Sequence, residues 1–211
     1  MVIGLGRFGL ALAEQLQALG QEVLGIDSRP DLVQAASGRL TYVVQGDATD
    51  PEVLRQLGID SVDRAVVAIG DDMQSSILAT AGLADIGVRS VLAKAVTEQH
   101  ARILERVGAT TVVFPERDMG RRVAHRLSGN VLEYFQVDEG FALVETPLPR
   151  RYVGSTLAHA AIREEHDVTV VCVKPADGGF THATPERMLR AGDVVMVAGS
   201  TRDVERFSRL A

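Results

Sequence analysis

The stretch "VIGLGRFGLALAEQL", residues 2 to 16, limits what this chain can fold into more than any other segment. An apolar run breaks into glycines at positions 4, 6 and 9 and then continues at helical spacing, the G-x-G-x-x-G order of a strand that turns sharply into a helix. Each glycine has its own reason to be there. The first permits the tight turn, the second lets backbone approach a phosphate, and the third lets the helix lie close against the strand. The amides that open the helix, at the positive end of its dipole, then form a phosphate site. Phe8, Leu12, Leu16 and Leu19 recur near helical spacing and Gly20 is a stop, so a βαβ unit is expected.

The same rhythm continues to about residue 130. Strands are expected at 1–4, 22–27, 41–46, 64–70, 90–95 and 110–114, with amphipathic segments between them. Six such strands make two mononucleotide-binding halves, an α/β fold with a Rossmann-type doubly wound parallel sheet in the order 3-2-1-4-5-6. Only Met1, Val2 and Ile3 precede the first turn, where a strand usually has about five or six residues, so residues upstream of Met1 are expected. After Phe114, "PERDMGRRVAHRLSG" reads as a helix with Pro115 at its start and Met119, Val123 and Leu127 on one face.

Residues 131–140, "VLEYFQVDEG", break the alternation and are expected to link a first domain, 1–130, to a second, 141–211. The second reads as a small α+β module. It has strand "FALVET", a loop at Pro147 and Pro149, helix "LAHAAIREEH", strand "VTVVCVK", turn "ADGG" and a strand in "AGDVVMVAGS". Cys172, the one cysteine, has no disulfide partner and sits in an apolar strand, so a buried core position is expected.

A composition 46% hydrophobic and 24% charged is that of a folded chain. The net charge of -6, with no basic run, argues against a nucleic-acid partner. Apolar runs such as Val168 to Val173 are far short of the roughly 20 residues that span a bilayer, and no leader pattern opens the chain, so the cytoplasm is expected.

The glycine loop gains meaning from Asp27, which ends the second expected strand eighteen positions beyond Gly9. A carboxylate there accepts both ribose hydroxyls and repels a 2'-phosphate, so an unphosphorylated ribose is favoured despite neighbouring Arg29. "GDATD", residues 46–50, closes the third strand at the same edge. Asp47 and the Ala48 amide there either read an adenine edge or form a plain turn with a helix cap at Thr49 or Asp50, and spacing does not separate the two. Arg7 and Lys94 are the cations placed to reach phosphate.

Hydride transfer needs a proton donor beside the nicotinamide and a cap that excludes water. The histidines at 100, 125, 159, 166 and 182 form no evident dyad with a carboxylate. His100 and His125 are expected on polar helix faces and His182 in a loop, all solvated. G-x-S-x-G, G-x-x-x-x-G-K-[ST] and Cys/His metal patterns are missing as well. The cleft is therefore expected to bind and not to react, the rival reading being a small NAD-dependent oxidoreductase.

"IGLGRFG", "EVLGID", "VVAIGDDMQSS", "LAKA" and "GATTVVFPERDMGRRVAHRLS" closely resemble the regulatory subunits of Ktr-type potassium transporters, which are RCK proteins. "TPERMLRAGDVVMVAGSTRDVERF" resembles the end of that family's small C-terminal lobe. The resemblance implies a non-enzymatic cytoplasmic subunit, an RCK N-lobe followed by a C-lobe. Such subunits form homo-dimers assembled into a homo-octameric ring beneath a membrane-embedded potassium channel subunit. ATP against ADP in the crevice changes ring shape and hence conduction, and a Trk-type member would use NAD(H) instead.

Carried onto this sequence, the resemblance makes Gly4, Gly6, Arg7, Phe8 and Gly9 the phosphate loop. Asp27 holds ribose, Asp47 and Ala48 lie by adenine, and Arg7 and Lys94 meet the terminal phosphates, Arg7 acting across a dimer interface. Glu116 matches a carboxylate near a divalent cation, Mg or Ca, at the phosphates, although physics alone reads it equally well as a first-turn acid complementing a helix dipole. In the C-lobe, Arg163, His166 and Pro185 lie where relatives bind cyclic di-AMP, while the adjacent Glu164 and Glu165 do not suit a phosphodiester.

Overall fold

The computed structural model describes residues 1–127 and 129–211, apart from the side chain of Asp60. The chain divides into two compact units, Met1–Pro115 and Glu116–Ala211. The first alternates β1 (Val2–Ile3), α1 (Arg7–Ala18), β2 (Leu24–Asp27), α2 (Pro30–Ser37), β3 (Tyr42–Gln45) and α3 (Pro51–Gln56), then β4 (Arg64–Val67), α4 (Met73–Ile86), β5 (Ser90–Lys94), α5 (Glu98–Arg106) and β6 (Thr111–Val113). The strands form a parallel sheet in the order β3-β2-β1-β4-β5-β6, the doubly wound order that the alternation of elements called for.

Strand β1 is paired on both sides, Val2 with Gly25 and Val66, Ile3 with Ile26 and Val67. Its side chains point to opposite faces. Val2 joins Leu5, Ala13, Val23, Ala36 and Leu40 under α1 and α2, while Ile3 joins Leu54, Val67, Ala79, Leu83 and Leu104 under α3, α4 and α5. Helix α1 packs through Gly9 and Ala13, with Leu10 and Leu16 beside them. Leu19, expected on the packed face, is instead exposed, because the helix ends at Ala18 and Gly20 closes it at φ +80°. Gly20 N–H donates to Gln17 O and Gln21 N–H to Leu16 O, which satisfies the last carbonyls.

The second unit runs α6 (Pro115–Leu127, from the last residue of the first unit), β7 (Glu133–Asp138), β8 (Phe141–Pro147), a 3-10 turn at Arg150–Tyr152, α7 (Leu157–Ala160), α8 (Ile162–His166), β9 (Thr169–Lys174), β10 (Thr181–His182), β11 (Val194–Ser200) and α9 (Thr201–Ser208). Its strands form a sheet in the order β10-β9-β11-β8-β7, whose pairs are antiparallel. The expected 131–140 linker is corrected here. Most of it is β7, paired with β8 from Glu133↔Glu145 onward and anchored by buried Tyr134, so the contact boundary falls at Pro115 and not near 130.

The single helix expected over 157–166 is two, because Ala161 adopts φ +47° and breaks it. Cys172 is half-buried, not core. Val173 next to it turns inward and is fully buried, so Cys172 takes the opposite face of the sheet. His182 lies on β10 and not in a loop, paired in register with Cys172.

Candidate functional site: a cleft at the carboxyl edge of the parallel sheet

After β1 the chain crosses to one face of the sheet and after β4 to the other, which opens a crevice at their carboxyl ends. A cleft of about 520 Å³ occupies it, lined by Gly4, Gly6, Arg7, Asp27, Asp47 and Ala48 from the expected set. Ser28, Arg29, Leu32, Thr49, Ile69, Asp71, Asp72 and Ser75 complete much of its wall.

The glycines divide their work as the spacing required. Gly4 sits at φ +90°. A Cβ on Gly9 would lie 1.8 Å from the Gly4 carbonyl oxygen, so Gly9 is the close contact between helix and loop and does not itself line the cleft. A Cβ on Gly6 would meet nothing within 4 Å: the space beside it is the cleft. Gly6 is also the N-cap of α1, without a capping side chain and with no acid in the first turn. The first amides of a helix have no partner within it, and here they open beside that space.

Asp27 holds this loop in shape. Its Oδ2 accepts from Leu5 N–H at 2.7 Å and its Oδ1 from Arg29 N–H at 2.9 Å, while Gly46 N–H donates to its carbonyl at 3.0 Å. Each carboxylate oxygen retains acceptor capacity for a ribose hydroxyl. The Arg29 guanidinium is taken up by Asp31 at 2.6 Å, and that hydrogen bond raises its pKa. Asp47 makes the turn that the spacing allowed, and it also lines the cleft. Its Oδ1 accepts from Thr49 N–H at 2.9 Å and Oγ1–H at 2.7 Å; the cap of α3 is Asp50, which accepts from Glu52 N–H at 2.8 Å.

Phe8 and Lys94 do not line the cleft. Lys94 Nζ stands 5.9 Å from the Phe8 ring centroid, over Gly70, which directly precedes the lining residues Asp71 and Asp72. Asp72 caps α4, accepting from Ser75 N–H at 3.1 Å and Oγ–H at 2.6 Å, and these bonds hold its carboxyl below the usual range. This acidic rim went unread. The signal for it was an acid-acid-x-x-Ser cap directly after the fourth strand, at the edge where ligands of such sheets bind. Among the described lining residues Arg7 makes no ion pair, so it is the cation that the wall offers to a phosphate against four carboxylates, Asp27, Asp47, Asp71 and Asp72.

Glu116 lies in the first turn of α6, in the second unit. Among the described residues no group of three His, Cys, Asp or Glu side chains is arranged to hold a metal ion. Arg163 and Pro185 line a second cleft, of about 400 Å³, with Leu157, Ala158, Ile162 and Glu164. His166 does not join them: it is buried against Tyr152 and Phe207. Two further histidines depart from expectation. His100 is 0% exposed, its Nδ1 taking the Val96 N–H at 3.5 Å, and burial lowers its pKa. His125 is partly covered, stacked 3.8 Å from Tyr134 and 3.1 Å from Glu205.

The TrkA-N domain model matches residues 1–115 and the TrkA-C domain model residues 141–211. The Ktr system potassium uptake protein C of Bacillus subtilis is 36% identical over 209 residues, which is 99% of this chain and 95% of that one. This chain belongs to the RCK family, among its Ktr-type members. The Ktr system potassium uptake protein A of Vibrio alginolyticus is 37% identical over 94% of this chain and 90% of its own. Among solved structures, the RCK domain of GsuK superposes with a TM-score of 0.69 at 18% identity, which places the fold. It covers 98% of this chain, and the chain spans less than half, 46%, of the GsuK chain. The family models leave 116–140 between them, the stretch that holds most of α6 and β7. No helix of the described residues is long and apolar enough to cross a membrane.

Proposed function

We propose that this protein is the cytoplasmic regulatory subunit of a Ktr-type potassium uptake system, taking ATP or ADP into the cleft and passing its state to a membrane-embedded potassium channel subunit. The observation that carries the reading is the empty space at Gly6, with uncapped α1 amides on one side and the Asp27 carboxylate on the other. That pair fits a pyrophosphate joined to a ribose. Arg7 takes the terminal phosphate, Asp27 the ribose hydroxyls, and Asp47 with Ala48 the adenine edge. Lys94 adds charge from behind Phe8.

A triphosphate facing four carboxylates calls for a companion cation, and Glu116 is the residue we assign to a divalent ion there. Arg163 and Pro185 make the second cleft a site for cyclic di-AMP, with His166 removed from the set. The subunits pair and close into an octameric ring on the inner face of the membrane. A nucleotide drives such a ring only by binding its two states with different affinity.

The similarity to the Ktr system potassium uptake proteins supports a regulatory reading over the oxidoreductase one. Calorimetric titration with ATP, ADP and NADH, with and without Mg²⁺, tests the assignment. Heat of binding from the adenine nucleotides is expected, with ATP preferred; strongest binding by NADH would shift the protein to the Trk-type mode, and no binding of any would end the proposal. Arg7→Ala should erase the preference for ATP over ADP. Equal weakening of both would remove Arg7 from the terminal phosphate. Glu116→Gln should blunt the Mg²⁺ dependence, and an unchanged dependence would return that acid to the helix dipole.

A further inference from the structure

The sheet of the second unit carries an imidazole, a thiol and a thioether in one row. In the strand order β10-β9-β11, His182 is paired in register with Cys172, and Cys172 with Met196. Residues opposed in register point to the same face of a sheet. Val173, Val195 and Val197, which alternate with them, are buried in the core, so the three side chains share the face turned away from it. Cys172 and Met196 are half-buried there and His182 is exposed.

The pairing between β10 and β9 is of the close kind. Ala183 N–H donates to Val171 O at 3.2 Å, which makes 183 with 171 the hydrogen-bonded pair. His182 with Cys172, one step along, is then a non-hydrogen-bonded pair, in which Cα atoms stand about 4.5 Å apart and side chains approach most closely. On the other side of Cys172, Met196 is one strand spacing away, about 4.8 Å. The register shifts just beyond Met196, where Val171 is the extra residue of β9, so a bulge sits beside this row, a feature that re-aims side chains. Among the described residues, neither the His182 ring nor the Cys172 thiol has a hydrogen-bond or ion-pair partner.

One nitrogen and two sulfur donors on three adjacent strands are the donor set of a soft metal ion. The charge balance selects its valence. A monovalent cation on a thiolate is neutral, which suits a row flanked along β11 by Val194 and Ala198. A divalent ion leaves a net charge, and zinc asks for four ligands, among which a thioether is not one. The carboxylate in the same row, Glu145, is paired with Met196 on its far side and not with Cys172. Lys174, two positions along β9, holds its ammonium 5.5 Å from the Phe180 ring centroid.

We propose that His182, Cys172 and Met196 form a three-coordinate site for a soft monovalent cation of the Cu(I) and Ag(I) class. On binding, the Cys172 S–H bond gives way to a sulfur–metal bond, the proton leaves to solvent and no electron is transferred. The bound ion ties β10, a two-residue edge strand, to the two strands beside it. Ala183, directly after His182, lines the 400 Å³ cleft together with Val170 of β9, so an occupied site fixes one wall of that cleft. The inference is independent of which nucleotide the first unit takes, since every group it uses lies in the second.

Anaerobic titration of the full chain with Cu(I), in competition with the chelator bicinchoninate and beside parallel titrations with Ag⁺ and Zn²⁺, tests it. One Cu(I) per chain is expected, with two sulfur neighbours and one nitrogen neighbour in X-ray absorption and slower hydrogen exchange at the Ala183 amide in the loaded protein. Cys172→Ser should abolish retention of the metal. His182→Gln and Met196→Leu should each weaken it about tenfold or more, and the second keeps the side-chain volume, so the fold is preserved. Copper left wholly with the chelator, retention that survives Cys172→Ser, or Zn²⁺ held more tightly than Cu(I) would overturn the proposal. So would an affinity unchanged in His182→Gln or in Met196→Leu, which is the behaviour of a bare thiol. Should Cys172→Ser not fold, the other two variants still decide it.

Discussion

Gly6 and Gly9 stand three positions apart in one motif and do different work. Gly6 has a backbone open to any residue, φ -65°, and open space where a Cβ would be; Gly9 would drive its Cβ to 1.8 Å from a carbonyl oxygen. Gly6→Ala should therefore melt like the parent, within about half a kcal/mol, yet bind ADP at least tenfold more weakly, because the new methyl occupies the ligand's place. Gly9→Ala should lose about 1–3 kcal/mol or more through overpacking, before any ligand is considered. Thermal melting beside calorimetry separates the two, and equal destabilisation would deny the division. Asp27 is a brace in the free protein, since its two oxygens accept from two backbone amides. Asn offers one acceptor in place of two, so Asp27→Asn should cost about 1–3 kcal/mol for a stranded amide and also weaken ATP and ADP alike. A variant of unchanged denaturation midpoint would mean that the brace carries no stability.

The parallel strands could be read from the chain because strands of such a sheet are short, largely apolar runs, as in "EVLGID", "TYVVQG" and "RAVVAIG". Asp27 and the glycine loop were readable too, since their positions follow from where such a sheet leaves its crevice. What stayed hidden depended on packing distance. Helix α1 meets the sheet through Gly9 and Ala13, small residues that bring backbones close, and hydrophobic spacing gave the weight to larger neighbours such as Leu19. Strand β7 reads as a linker because Gln136, Asp138 and the following Glu139 are polar and exposed; Tyr134 is the one residue of the strand that is buried. His100 looked solvated among the charges of "TEQHARILER", yet it fills the core behind the β5–α5 turn and takes its amide hydrogen. Periodicity assigns a residue to a face; it does not say whether a polar atom on that face finds a backbone partner.

Each unit buries one neutral imidazole, His100 in the first and His166 in the second, and in both, burial lowers the pKa from 6.5. The unfolded chain then takes up protons before the folded one, so stability should be level above about pH 7.5 and fall as pH drops through 6.5 toward the folded values. Melting temperatures constant down to pH 5 would contradict the burial of both rings in neutral form. An expectation about assembly rests on α6, which inverts the usual amphipathic arrangement. Its polar side is fixed to its own unit, Arg122 to Glu133 at 2.6 Å, Arg126 to Glu133 at 3.6 Å, and His125 to Tyr134 and Glu205. Its apolar row Met119, Val123 and Leu127 faces outward, 54%, 43% and 82% exposed, and no residue of this helix is buried in the single chain. A helix held by its charges with its apolar stripe turned to water is suited to a second copy of the same stripe under two-fold symmetry, and that pairing is the expected outcome. Val123→Asp places a charge in the middle of that row without disturbing the anchored side. Light scattering should then show the parent as a dimer or a larger even multiple of 22.6 kDa and the variant shifted to smaller species, while the ADP affinity of the first unit's cleft is retained. A parent that runs as a monomer, or a variant of unchanged mass, would mean that α6 does not join the copies.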